Sequence, residues 1–114
     1  MNYTVFQIRL TDEMIDFVNA VGHRAAAEKF PAYKFHMDTS HLGAKGYHGD
    51  AYKFYDKVAT IEADSLEDVF NIGNIGPEHK ITRHERMHSI SVGDIVWDGN
   101  DAHIVDCFGF VKVT

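Results

Sequence analysis

Ser89-Ile-Ser-Val-Gly-Asp-Ile-Val-Trp97, followed by Asp98-Gly-Asn-Asp101 and by His103-Ile-Val-Asp-Cys-Phe-Gly-Phe-Val-Lys-Val113, is the stretch that decides the fold. Its first run is rich in β-branched residues, which suit the pleated, half-buried surface of a sheet. The Asp-Gly-Asn-Asp segment carries turn chemistry, because glycine takes positive φ without steric cost and Asp or Asn side chains bond to nearby backbone. The last run returns as a second arm. A C-terminal β-hairpin is predicted, and with it antiparallel pairing. Gly109, between Phe108 and Phe110, predicts a bulge or a close backbone approach.

Outward from the hairpin, Lys57 to Ala63 reads as another strand. Asp64-Ser-Leu-Glu67 has the capping-box spacing in its Asp form, and Leu66, Val69 and Phe70 give a short helix with one apolar face. Gly73 is placed to end that helix, and Gly76-Pro77 marks a turn. At the other end of the chain, Tyr3 to Leu10 alternates, with Phe6, Ile8 and Leu10 on one side. Thr11 reads as an N-cap, followed by Asp12 and Glu13 where the helix dipole favours negative charge. Met14, Val18, Val21 and Ala25 then keep helical spacing, which predicts one long helix from Asp12 to about Lys29, stopping before Pro31. Tyr33 to Met37 reads as a short strand, and residues 38–50, with Gly43, Gly46 and Gly49, as a long loop. No linker divides the chain. The expectation is one α+β domain over residues 1–114. Its mainly antiparallel sheet carries one long and one short helix on one face.

The 114 residues include 45% hydrophobic side chains, enough for a core without disulfide or metal. Cys107 is the single cysteine, so no intrachain disulfide forms, and its apolar surroundings suggest a small buried hydrophobe rather than a nucleophile. Met1-Asn-Tyr-Thr-Val5 shows neither the basic nor the apolar region of a secretory leader, and no apolar run is long enough to span a bilayer. A cytoplasmic location and no membrane partner are expected.

The formal charge is −6, and the acids are grouped. Between Met87 and Val111 stand Asp94, Asp98, Asp101 and Asp106 with no Lys or Arg. Direct nucleic-acid binding by phosphate neutralisation is therefore not expected. Such a surface suits a basic partner, including a nucleic-acid-binding site on another protein. A merely solvated acidic surface has the same composition.

One motif points to an enzyme. His84-Glu85-Arg86-Met87-His88 has the H-E-x-x-H spacing, which on a helix brings two imidazoles to one Zn²⁺ and a carboxylate to its water. A small zinc-dependent hydrolase is the alternative this supports. Against it, the motif runs directly into the Ser89 strand, Arg86 sets a cation beside the ion, and no third ligand is obvious. Residues 84–88 are expected to be extended, with no catalytic residue, metal or cofactor. Neither a phosphate-binding glycine loop nor a nucleophile elbow is present in the sequence. Trp97 at the hairpin turn is a better candidate, since exposed aromatics commonly anchor interfaces.

The C-terminal half also resembles a known family. Leu66-Glu-Asp-Val-Phe70, Met87-His-Ser-Ile-Ser-Val-Gly-Asp-Ile-Val96 and Asp106-Cys-Phe-Gly-Phe110 are similar in order and spacing to the YodL-like domain over residues 64–113. That pattern usually has Ser at the positions of Gly93 and Cys107. The domain occurs in polyvalent proteins of phages and conjugative elements, and in small uncharacterised phage proteins. The resemblance implies an accessory protein that works inside a bacterium by binding, and inhibiting or redirecting, a host protein in host takeover or anti-defence. It transfers no catalytic residue. Asp94, Trp97, Asp98 and Asp101 are the expected partner-binding surface. A phage structural or assembly component is a further alternative.

Overall fold

The computed structural model describes residues 1–113. The chain is α+β, built on a six-stranded sheet in which every neighbouring pair is antiparallel. The strands are β1 (Asn2–Ile8), β2 (Tyr55–Glu62), β3 (Ile81–Arg83), β4 (Ile95–Trp97), β5 (Ala102–Val105) and β6 (Phe110–Lys112), in the spatial order β3-β2-β1-β4-β5-β6. The helices are α1 (Asp12–Val21), α2 (His23–Lys29), α3 (Pro31–Leu42) and α4 (Leu66–Ile75). Short 3-10 turns cover Gly43–Gly46, Gly49–Phe54 and Glu78–Lys80. Among the described residues no helix is long and apolar enough to cross a membrane.

The predicted hairpin is present as β4–β5, with Asp98 to Asp101 as its turn. The arms are shorter than expected. Only Ile95–Trp97 of the first run pairs as strand, because Asn74 captures both backbone groups of Ile90 and the Asp94 carboxylate captures the Ser91 N–H. The second run folds back once more at Asp106–Gly109, so β4, β5 and β6 form a meander. Gly109 has φ +74 and an added Cβ there would meet nothing, which makes it a turn residue rather than a close approach.

The single long helix is broken. Gly22 adopts φ +90, closes α1 through its N–H on the Val18 carbonyl, and α2 starts at the next residue. The strand expected at Tyr33–Met37 and the loop at 38–50 are replaced by α3 and two 3-10 turns. Pro31, expected to stop a helix, instead starts one, at a position where its missing N–H costs nothing. Lys34 and Asp38, one turn apart, pair at 2.9 Å along α3. The cap of α4 sits one residue later than expected. Ser65 Oγ accepts the Asp68 N–H, while the Asp68 carboxylate accepts the Asp64 N–H. The helix then runs through Gly73 to Gly76.

The helices do not share one face. Side chains alternate along a strand, and directly paired residues share a side. Tyr3 and Val5 therefore lie with Ala59, Ile61, Val96 and Val105, and these pack against Val69 and Ile72 of α4. Ile8 points the other way, with Tyr55, onto Phe35 of α3 and Ala51. On that side α2 stacks on α3 and α1 on α2. α1 buries no residue completely. The sheet is thus a middle layer, with α4 on one face and α3 on the other.

Candidate functional site

The α3 face is covered over only part of its area. The register aligns Thr82, Thr60, Thr4, Trp97 and Ala102 across five adjacent strands on that face. The neighbouring row holds Phe6, Ile95, Ile104 and Val111. Ile95 and Ile104 are buried beneath the α3 side, whereas Thr4 and Phe6 are only half-buried although β1 is a central strand. Trp97 is 42% exposed, and Val111, two strands away on the same face beyond the buried Ile104, is exposed as well. The result is an open half-face with Phe6 and Trp97 as diagonal aromatic neighbours and threonine hydroxyls alongside. Thr60 Oγ1 lies 2.9 Å from Nε2 of His84, which closes one corner.

Of the four expected partner-binding residues, only Trp97 stands on this surface. Asp94 is 3% exposed and belongs to the interior, which corrects its expected place in a contact surface. Its Oδ2 accepts the Ser91 N–H and Gln7 Nε2, each at 3.0 Å. Gln7, itself buried, spans to the next segment, donating to the His88 carbonyl and accepting the His88 N–H. Burial pushes the Asp94 carboxyl up to about 6, partly countered by the Ser91 hydrogen bond, the nearby His88 and Gln7. The same region raises the Tyr55 hydroxyl, through burial first and the Asp94 charge second, while that hydroxyl donates to the Gly93 carbonyl. Asp94 is therefore a structural clasp between β1, β4 and residues 88–91.

Asp98 and Asp101 lie at the hairpin turn, but on the α4 side of the sheet. Asp98 Oδ1 accepts the N–H groups of Asn100 and Asp101, and Oδ2 sits 3.1 Å from Nε2 of His103, which shares a face with Val96. The two backbone hydrogen bonds, aided by His103, hold the Asp98 carboxyl down at about 2. Asp101 pairs with Lys112 at 3.4 Å. The acidic run thus meets a base from beyond its own end. Each Asp is spent on the hairpin, and neither adjoins the Trp97 surface.

The zinc motif does not form a helical turn. Residues 84–88 leave β3 without helix, with His84 at Thr60 and Nδ1 of His88 donating to the Ser89 carbonyl at 2.8 Å. Among the described residues no three His, Cys, Asp or Glu side chains converge as metal ligands. Cys107 is exposed, not buried as expected, because it lies in the β5–β6 turn rather than in a continuous strand.

A groove of about 590 Å³ runs between α4 and β6 and is walled by Phe70, Ile90, Val105 and Phe110. A second, of about 420 Å³, separates α1 from residues 85–88 and has Ile8, Leu10, Val58 and Met87 among its lining residues, beside the Arg9–Asp56 ion pair. Glu85 and His88 of the zinc motif also line the second groove. The sequence pointed to Trp97, but Thr4 and Phe6 were missed, since alternation marks them as one side of a strand without saying which part of that side stays open. No family model, no curated protein and no solved structure matches the chain.

Proposed function

We propose that this protein is a binding module that acts by contact with another protein through the open half-face of its sheet. The observation that carries the reading is Trp97 beside Phe6 and Thr4, on a central part of the sheet where a fully covered layer would leave nothing accessible. An uncharged aromatic centre is the anatomy of an interface core, which favours aromatic residues and avoids charge. The non-helical path of residues 84–88, bent at His84 and Glu85, favours binding over the zinc hydrolase alternative.

The resemblance of residues 64–113 to the YodL-like pattern supports the kind of partner, a host protein met by a phage or mobile-element accessory protein in the bacterial cytoplasm. On this reading the partner is inhibited or redirected. Affinity capture from bacterial lysate, followed by mass spectrometry, tests it. Trp97→Ala is expected to release the captured partner, and Asp101→Lys, on the opposite side, to retain it. A partner held equally well by Trp97→Ala removes the open half-face as the contact. Presence of the protein in purified virions would favour the structural-component alternative instead.

A further inference from the structure

The sheet ends in two single strands, β3 and β6, and the two margins are finished differently. β6 pairs with β5 as His103 with Lys112, Ile104 with Val111, and Val105 with Phe110. Beyond these, the Asp106 N–H donates to the Gly109 carbonyl and the Val113 N–H to the Ala102 carbonyl, both at 2.9 Å. Hydrogen-bonded and non-bonded pairs alternate along an antiparallel ladder. The bonded pairs are therefore Asp106 with Gly109, Ile104 with Val111, and Ala102 with Val113. The N–H and C=O groups of Phe110 and Lys112 consequently point away from β5, off the margin of the sheet.

Such a margin is a template for a further strand, and proteins commonly protect it with a charged side chain. Here the charge is that of Lys112, which is exposed and pairs at 3.4 Å with Asp101 of its own hairpin rather than standing off the margin. Each flank of β6 offers an apolar contact, although Glu67, Asn71 and Asp106 also line the α4 side. On the α4 side lies the groove walled by Phe70 and Phe110, and on the other side Val111 is 38% exposed. Phe108, at the corner into β6, is 94% exposed. The β3 margin also carries an exposed cation in an ion pair, Arg83 with Glu78 at 2.5 Å, but its exposed neighbour is Thr82 where β6 has Val111.

We infer that β6 accepts an extended segment of a partner protein as a seventh strand, its alternate side chains entering the α4–β6 groove and resting on Val111. This deepens the binding-module reading and rests on it for the Trp97 side. Only an extended backbone offers donors and acceptors at the spacing of Phe110 and Lys112, and its alternating side chains match a groove on one face and an open surface on the other. A second copy is a poorer occupant. Each copy carries a formal charge of −6, and pairing two three-residue strands buries far less than the roughly 800 Å² per partner of a stable complex.

The test uses peptides selected from a random display library on the wild-type protein. Apolar residues at every second position are expected among them. Methylating backbone nitrogens in one alternate set should lower affinity about tenfold or more, and in the other set leave it unchanged, as the loss of hydrogen bonds on one edge requires. Lys112→Pro removes an outward N–H without touching the β5 ladder and should also weaken binding about tenfold. Peptide addition should slow amide exchange at Phe110 and Lys112 but not at Val111. Failure to select peptides, equal effects of the two methylation sets, or a dimer dissociated by Lys112→Pro would overturn strand addition. Peptides insensitive to methylation yet lost with Trp97→Ala would remove the seventh strand and leave the sheet-face reading intact.

Discussion

Ile61 and Thr60 are consecutive residues of one strand with opposite fates. Ile61 is fully buried beneath α4, whereas Thr60 faces the open half of the other side. Both faces of the sheet carry apolar side chains, so polarity alone does not separate structure from contact surface. The difference is coverage. α4 lies on the first face, whereas α3 with its 3-10 turns reaches only the Ile8 and Ile104 end of the second. The same residue types therefore stabilise on one side and are left available for a partner on the other.

The sharpest way to break this contrast is to truncate across it. Ile61→Ala should lower unfolding free energy by about 2–5 kcal/mol, and Thr60→Ala by under about 1 kcal/mol, as read from urea midpoints. Equal losses would mean that the second face is closed.

Asp94, on the covered side, gives the next largest effect. Its folded pKa is raised to about 6 from an ordinary value of 3.8, so the folded state holds the proton more tightly than the unfolded one. Stability contributed by protonated Asp94 is present below about pH 4 and is lost as pH rises through about 6, by roughly 3 kcal/mol. Asp94→Asn should abolish that change in the difference between the two denaturation curves. His36 works with the opposite sign, since burial lowers its pKa, and the nearby His88 adds to this. Its stability is present above about pH 6.5 and falls as pH drops through the lower folded value. A difference curve flat with pH would show that Asp94 is not held in the interior.

At the seam between α3 and the sheet, Gly93 has φ +98, and a Cβ there would stand 2.7 Å from Thr39 Oγ1. Gly93→Ala should cost about 1–3 kcal/mol in chemical denaturation. The smallest effect belongs to the open side. Trp97→Ala should change stability by no more than about 0.5 kcal/mol while removing partner capture. A large loss of stability would place Trp97 in the core and weaken the contact reading.

Much of the sheet was legible because alternation and turn chemistry are local. Tyr3–Ile8, the 57–62 strand and the Asp98–Asp101 turn all follow from residues within a few positions of one another. α3 was not legible, because Pro31 serves equally to end one helix or begin the next, and the choice depends on Tyr33 and Phe35 finding a surface to cover. Asp94 looks like any strand-end acid until Gln7, 87 residues away, supplies its partner. Trp97 was found from its place at a turn, yet the side it occupies relative to Asp98 and Asp101 depended on pairing with Ala102 rather than on adjacency. Coverage of a face belongs to the whole domain, and no local signal carries it.

The irregularity in β2 has a consequence for how this sequence can vary. Val5 pairs with Ala59 and Phe6 with Lys57, so Val58 is an extra residue that shifts the count of the strand behind it. Tyr55 reaches Phe35 and the Gly93 carbonyl only because of that shift. Regular pairing of Val58 with Phe6 would exchange inside for outside along residues 55–57, whereas deleting Val58 would keep those three residues on their present faces and cost only its own buried side chain, so at this point an added residue should be tolerated less well than a lost one.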